Sequence, residues 1–294
     1  LRPVDRVRAL HALVKATRPT VVVDVGANPF NGTPVYGLLR RSGVARIIGF
    51  GPQAEALAAL RQAAGPNETY LPHAVGTGAE ERLHLTRNSG LVSTLEPDPW
   101  IGRYLNGWWK KAIAVRATVP MPTRRLDDIA EIERIDFLKI DIQGGELNVF
   151  RNAREKLAGA ALVQTEVPLL RYYKGQPTLG EVQAELEAQG FLAHRFIEIS
   201  AHRLDYPAEL AAGLAIRGSQ ATVADLAFLR SPVDMAALPQ EVVQHMAILA
   251  DAVLRSHDLV LRCLGELVRR GVVEAAEAAT YAGMLRATAP AAEG

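Results

Sequence analysis

The segment Thr20 to Asn28, TVVVDVGAN, places the tightest constraint on this chain. A β-branched run ending in a glycine-containing turn reads as a buried parallel strand with a loop at its carboxyl end. A helix is expected next, started by Thr33 as N-cap with Pro34 at its first position and stopped by Gly43 after LLRRS. A second short strand, Arg46 to Phe50, and a helix of strong formers, Ala54 to Ala64, repeat the rhythm.

Further strand-like segments follow at 70–75, 137–141, 161–166, 191–199 and 225–230, with helix-like stretches at 145–157 and 178–189. Thr178 with Glu181 three residues on forms a capping box, and Gly190 stands where a left-handed cap belongs. Strands alternating with helices predict a doubly wound, mostly parallel α/β sheet covered on both faces. The stretch from Gly76 to Pro122 departs from this rhythm and reads as an insertion near the substrate. Residues 238–287 are expected to be helical throughout, with Val242, Met246, Leu249 and Val253 recurring at threes and fours. The organisation predicted is an N-terminal helix in 1–19, a main domain over 20–232, and a helical extension over 233–294 ending in a disordered tail. That extension reads either as a cap on the parent domain or as a homodimer or partner surface.

Composition excludes several classes. Lys plus Arg number 33 against 32 for Asp plus Glu, so the chain's field is close to neutral and gives no footprint for nucleic acid or an anionic membrane. The one cysteine, Cys263, rules out an internal disulfide framework and a cysteine-rich zinc site. No HExxH or similar pairing occurs among the seven histidines, so nothing visible calls for a metal. There is neither an apolar core of signal-peptide length nor a window of about twenty apolar residues, and a cytoplasmic location is expected.

In an open parallel sheet, ligands bind beyond the carboxyl ends of the strands near the topological switch point. Three such ends carry carboxylates: Asp24, Asp141 in IDIQGGE, and Glu166. The first loop lacks the GxGxxG fingerprint, which disfavours a nucleotide-dependent oxidoreductase. Gly26 permits close backbone approach, while Asp24 and Asn28 offer an acceptor and an amide suited to an amino acid's ammonium and carboxylate. Those needs match the methionine half of S-adenosylmethionine.

The ordered motifs VDVGAN, IIGFGPQ, LPHAVG, TRRLDDI, FLKIDIQGGE and VQTEV resemble the FkbM family of methyltransferases over about Thr20 to Arg230. The most specific piece is PTRRLDDIAEIERIDFLKIDIQGGELNVF, Pro122 to Phe150. The resemblance implies a seven-stranded Rossmann-like methyltransferase sheet and S-adenosylmethionine as cofactor. By the family pattern Asp24, Gly26, Ala27 and Asn28 would cradle the methionyl part, with Gly51 and Pro52 at the ribose. His73, Ala74 and Val75 would border the adenine, and Asp141 and Gln143 would lie beside the sulfonium. The implied reaction is O-methylation of a hydroxyl on a glycan or other small-molecule acceptor. Asp141, Glu166 and His73 are the candidate catalytic groups, and Ser93, Tyr172 and Tyr173 the candidate acceptor wall. Glu146 has a plainer reading, as a carboxylate favoured by a helix dipole.

One position departs from the pattern. Gly51 stands where the family carries an acid for the ribose hydroxyls, and a charge-assisted hydrogen bond contributes about 1.5 to 3 kcal/mol. A rival reading follows from it: a catalytically silent methyltransferase fold that uses its C-terminal helices for partner contact.

Overall fold

The computed structural model describes residues 1–288, so the tail expected to be disordered falls, from residue 289 on, outside the described residues. Seven strands form the central sheet: β1 (Thr20–Val25), β2 (Ala45–Phe50), β3 (Glu68–Leu71), β7 (Phe137–Ile140), β8 (Leu162–Pro168), β9 (Phe191–His202) and β10 (Gln220–Arg230). Their order is β3-β2-β1-β7-β8-β10-β9. Every neighbouring pair from β3 to β8 is parallel, and β10 runs antiparallel to both β8 and β9. The architecture is a Rossmann-like, mostly parallel doubly wound sheet. Because the chain leaves β1 in one direction and returns to β7 on its other side, the switch point lies between those two strands.

A period of two divides the sheet residues between two cores. Val21, Val23 and Val25 face one cluster with Leu138, Ile140, Val163 and Phe228, covered by α6 (Glu146–Arg151), α7 (Arg154–Leu157) and α8 (Leu179–Ala188). Val22, Ile47, Phe137, Leu162 and Leu229 face the other. That second face is covered by α1 (Pro3–Leu13), α9 (Gln240–Leu249), α10 (His257–Arg269) and α11 (Ala275–Thr288). The described part of the C-terminal extension is therefore a layer packed on the sheet. Asp251, in the π-helical turn after α9, fastens it to the N-terminus: both carboxylate oxygens meet Arg6 Nε at 3.0 and 3.2 Å, and the Tyr281 hydroxyl donates to it at 2.5 Å.

Several local expectations hold and others shift. The capping box of Thr178 and Glu181 is formed, and Gly190 has φ +83°. The helix expected from Thr33 starts later, as α2 (Gly37–Ser42), and a short 3-10 turn over 29–31, capped by Asn28 accepting from the Phe30 amide, precedes it. The continuous helix expected over 145–157 breaks after α6. Asp127 accepts from the amides of Glu155 and Lys156 and so caps the first turn of α7 from a distant part of the chain. The insertion holds β5 (Glu80–Thr86), which pairs with β6 (Val115–Arg124), and two short helices, α4 (Ile101–Tyr104) and α5 (Gly107–Ala112). Among the described residues, no helix is long and apolar enough to cross a membrane.

Candidate active site

The loops after β1 and β7 meet at the switch point. Gly26 has φ +89°, and a Cβ on it would lie 2.1 Å from the Asp141 carbonyl oxygen. Only glycine lets the loops touch there. The amides of Gly26 and Ala27 both donate to the Phe50 carbonyl, at 3.0 and 2.9 Å, which ties the same turn to the end of β2.

Asp24 looks inward from this turn. It is buried, the Tyr36 hydroxyl donates to its Oδ2 at 2.7 Å, and Lys139 Nζ stands 3.4 Å from its Oδ1. Lys139 lies opposite Asp24 in the β1/β7 register and also approaches Asp141, at 3.9 Å. Burial works to lower the Lys139 pKa, but the two carboxylates outweigh it and raise the value. Burial and the Asp24 carboxylate push the Tyr36 hydroxyl up, so it stays a donor.

The loop after β7 is built around Gln143, a non-glycine residue at φ +61°, followed by Gly144 at φ +107°. Such a conformation persists only where surroundings over-determine it. Here Glu146 accepts from the amides of Ile142 at 2.8 Å and Gly144 at 2.9 Å, and the Ser93 hydroxyl donates to the Gln143 carbonyl at 2.6 Å. Burial pushes the Glu146 carboxyl up to about 7, against the pull of those backbone donors. The Gln143 side chain then joins three groups. Its Nε2 donates to Asp141 Oδ1 at 2.8 Å and reaches Glu166 Oε1 at 3.3 Å, while its Oε1 accepts from the Tyr173 hydroxyl at 3.2 Å. Those partners fix which way the amide points. Burial and the carboxylates of Asp141, Glu146 and Asp225 hold Glu166 well above the usual carboxylate range.

Other expected site residues are distributed around this centre. Gly51 is buried, with its amide donating to the Leu71 carbonyl at 3.3 Å, and Pro52 after it is exposed. Ala74 and Val75 form a two-residue strand, β4, paired with Thr123 and Arg124 of β6. His73 meets Arg124 at 3.3 Å, and among the described residues no hydrogen bond or ion pair joins it to the carboxylates. Ser93 is 1% exposed, its hydroxyl engaged by the Gln143 carbonyl and the Leu95 amide. Tyr172 and Tyr173 are buried with Trp109 in an aromatic cluster beneath the insertion, whereas Trp108 is exposed. No group of three His, Cys, Asp or Glu among the described residues is placed to hold a metal ion.

Sequence reasoning did not single out Lys139, Tyr36 or Asp225, and it gave Glu146 a lesser part than its two backbone contacts. One signal was available. A lysine inside FLKI, a strand otherwise wholly apolar, needs a buried counter-charge.

Among solved structures, the fold is similar to magnesium protoporphyrin IX methyltransferase from Synechocystis PCC 6803, at 12% identity and TM-score 0.38, covering 78% of this chain and 79% of that one. It is also similar to methyltransferase FkbM from Methylobacillus flagellatus KT, at 16% identity and TM-score 0.39, covering 71% of this chain and 43% of that one. No curated protein matches the sequence. The family model for the methyltransferase FkbM domain matches residues 24–193, more than half of the chain, and the chain belongs to that family.

Proposed function

We propose that this protein is an S-adenosylmethionine-dependent methyltransferase that methylates a hydroxyl of a small-molecule or glycan acceptor at the crevice between β1 and β7. The observation that carries the reading is the contact of the two loops at Gly26, which sets Asp141 and Gln143 beside the turn expected to cradle the methionyl group. The groups present suit a cationic cofactor: the carboxylates of Asp141 and Glu166 converge on the Gln143 amide, with Lys139 drawn down toward Asp24. When bound, the cofactor would supply an electrophilic methyl group for the acceptor oxygen. The chain's part is mainly alignment, which supplies much of the rate in such displacements. The acceptor's hydroxyl proton passes to Glu166, because a carboxylate held at a raised pKa is the stronger base once ionised. Gln143 and Tyr173 keep that carboxylate aimed.

Calorimetric titration with S-adenosylmethionine and S-adenosylhomocysteine tests this. Dissociation constants on the order of micromolar are expected, and no heat at about 1 mM would leave the silent-fold reading in its place. Gly51 supports that rival, and a substitution separates the two. A Cβ at Gly51 would lie 3.1 Å from the Ala27 carbonyl oxygen, a contact relieved by a shift of a few tenths of an ångström. Gly51→Glu is expected to tighten S-adenosylmethionine binding about tenfold through a charge-assisted bond to the ribose. Unchanged or weaker affinity would show that this position does not meet the ribose.

A further inference from the structure

A row of carboxylates runs away from the reactive loop along the sheet. Glu166 of β8 pairs directly with Asp225 of β10, and Asp225 pairs directly with Glu198 of β9. Directly paired residues share a face of the sheet with Cβ atoms about 5 Å apart, and like charges so placed repel. Asp141 extends the row at its inner end, joined to Glu166 through the Gln143 amide. Exposure grows outward: Glu166 and Asp225 are half-buried and Glu198 is exposed. Lys139 offsets the row in part, but its ammonium is held by Asp24 and Asp141 at the inner end.

A second feature indicates what the row receives. Gln164, 4% exposed, lies on β8 opposite Lys139 and Ala227. Its side chain lies against the Asp225 carboxylate and works to lower that group's pKa, and its Oε1 has no hydrogen-bond partner. A buried amide oxygen without a donor is costly. The surface formed by Gln164, Asp225 and Glu198 therefore presents more acceptors than donors. Since no three carboxylates converge tightly enough for a metal ion among the described residues, its complement is an extended organic cation rich in N–H groups.

We propose that the acceptor substrate carries a protonated amine, which docks on Asp225 and Glu198 and gives one N–H to Gln164 Oε1. This anchors the molecule one strand away from Glu166, so that its hydroxyl is presented at that carboxylate, beside Asp141 and Gln143. The inference rests on the methyltransferase reading for the hydroxyl, and on the carboxylate row alone for the amine.

The test uses 1,4-diaminobutane as probe and 1,4-butanediol as its neutral counterpart, titrated calorimetrically with and without S-adenosylhomocysteine. The diamine is expected to bind and the diol to give no heat. Asp225→Asn combined with Glu198→Gln should weaken the diamine at least about tenfold, and Glu198→Gln alone should leave S-adenosylhomocysteine affinity unchanged. The double variant should also melt no lower than the parent, since it relieves repulsion between paired strands. Equal binding of diol and diamine, or a double variant that binds the diamine as the parent does, overturns the proposal. Failure of S-adenosylhomocysteine to bind is a separate outcome: it removes the methyltransferase reading, while the diamine against diol comparison still decides the row.

Discussion

Gly26→Ala is expected to abolish measurable S-adenosylhomocysteine binding and to destabilise the protein by about 3 kcal/mol or more. Two effects add. The residue has φ +89°, where a Cβ costs roughly 1 to 2 kcal/mol against the preceding backbone. The new carbon would also stand 2.1 Å from the Asp141 carbonyl oxygen and 3.1 Å from its carbon, both backbone atoms at the end of a central strand. Neither can swing aside as a side chain does. The loops must separate by more than an ångström, and with them Asp141 and Gln143 leave the crevice. Gly32 supplies the control, since it has φ +83° but nothing within 4 Å of its notional Cβ. Gly32→Ala therefore carries the conformational cost alone. Urea denaturation of the two variants, with calorimetry on each, separates strain from collision. If Gly26→Ala lost no more stability than Gly32→Ala, or bound ligand within about threefold of the parent, the contact between the loops would not organise the site.

That contact was half legible in the sequence. TVVVDVGAN and FLKIDIQGGE each announce a parallel strand ending in a turn, and both strands form within a residue or two of expectation. Parallel strands buried on both faces read as nearly continuous apolar runs, so the pattern needs no tertiary knowledge. The roles within the turns were less accessible. Asp24 reads as a ligand group because it precedes a glycine, but its neighbours in space are Tyr36 and Lys139, the second 115 positions along the chain and opposite it only through the pairing of β1 with β7. Ser93 and Tyr173 likewise hold the Gln143 loop, through contacts that no local spacing encodes. The C-terminal helices gave their periodicity plainly, but not the sheet face that their apolar side covers. Strand β6 was hidden for a local reason: Pro120 and Pro122 lie within it, and proline normally argues against a strand.

The second large effect concerns the charge beneath those turns. Lys139→Met should cost about 3 to 5 kcal/mol, the usual penalty for removing one partner of a buried ion pair. Asp24 is the residue left exposed to that penalty. Its Oδ2 keeps the Tyr36 hydroxyl, but its Oδ1 has no hydrogen-bond partner and only the Lys139 ammonium at 3.4 Å. Asp141, with 28% of its side chain accessible and a hydrogen bond donated by the Gln143 Nε2 group, loses less because water and Gln143 still serve it. The deficit should therefore be repaired at Asp24 rather than at Asp141. Adding Asp24→Asn to Lys139→Met removes the stranded charge while leaving an oxygen for Tyr36 to bond. A double-mutant cycle by chemical denaturation is expected to show coupling of about 2 kcal/mol or more between positions 24 and 139. If the two substitutions instead proved additive, Lys139 would be stabilising the strand through its aliphatic stem rather than through Asp24. Retention of full ligand affinity in the double variant would then follow from the same geometry, since neither side chain would be holding the Gly26 turn against Asp141.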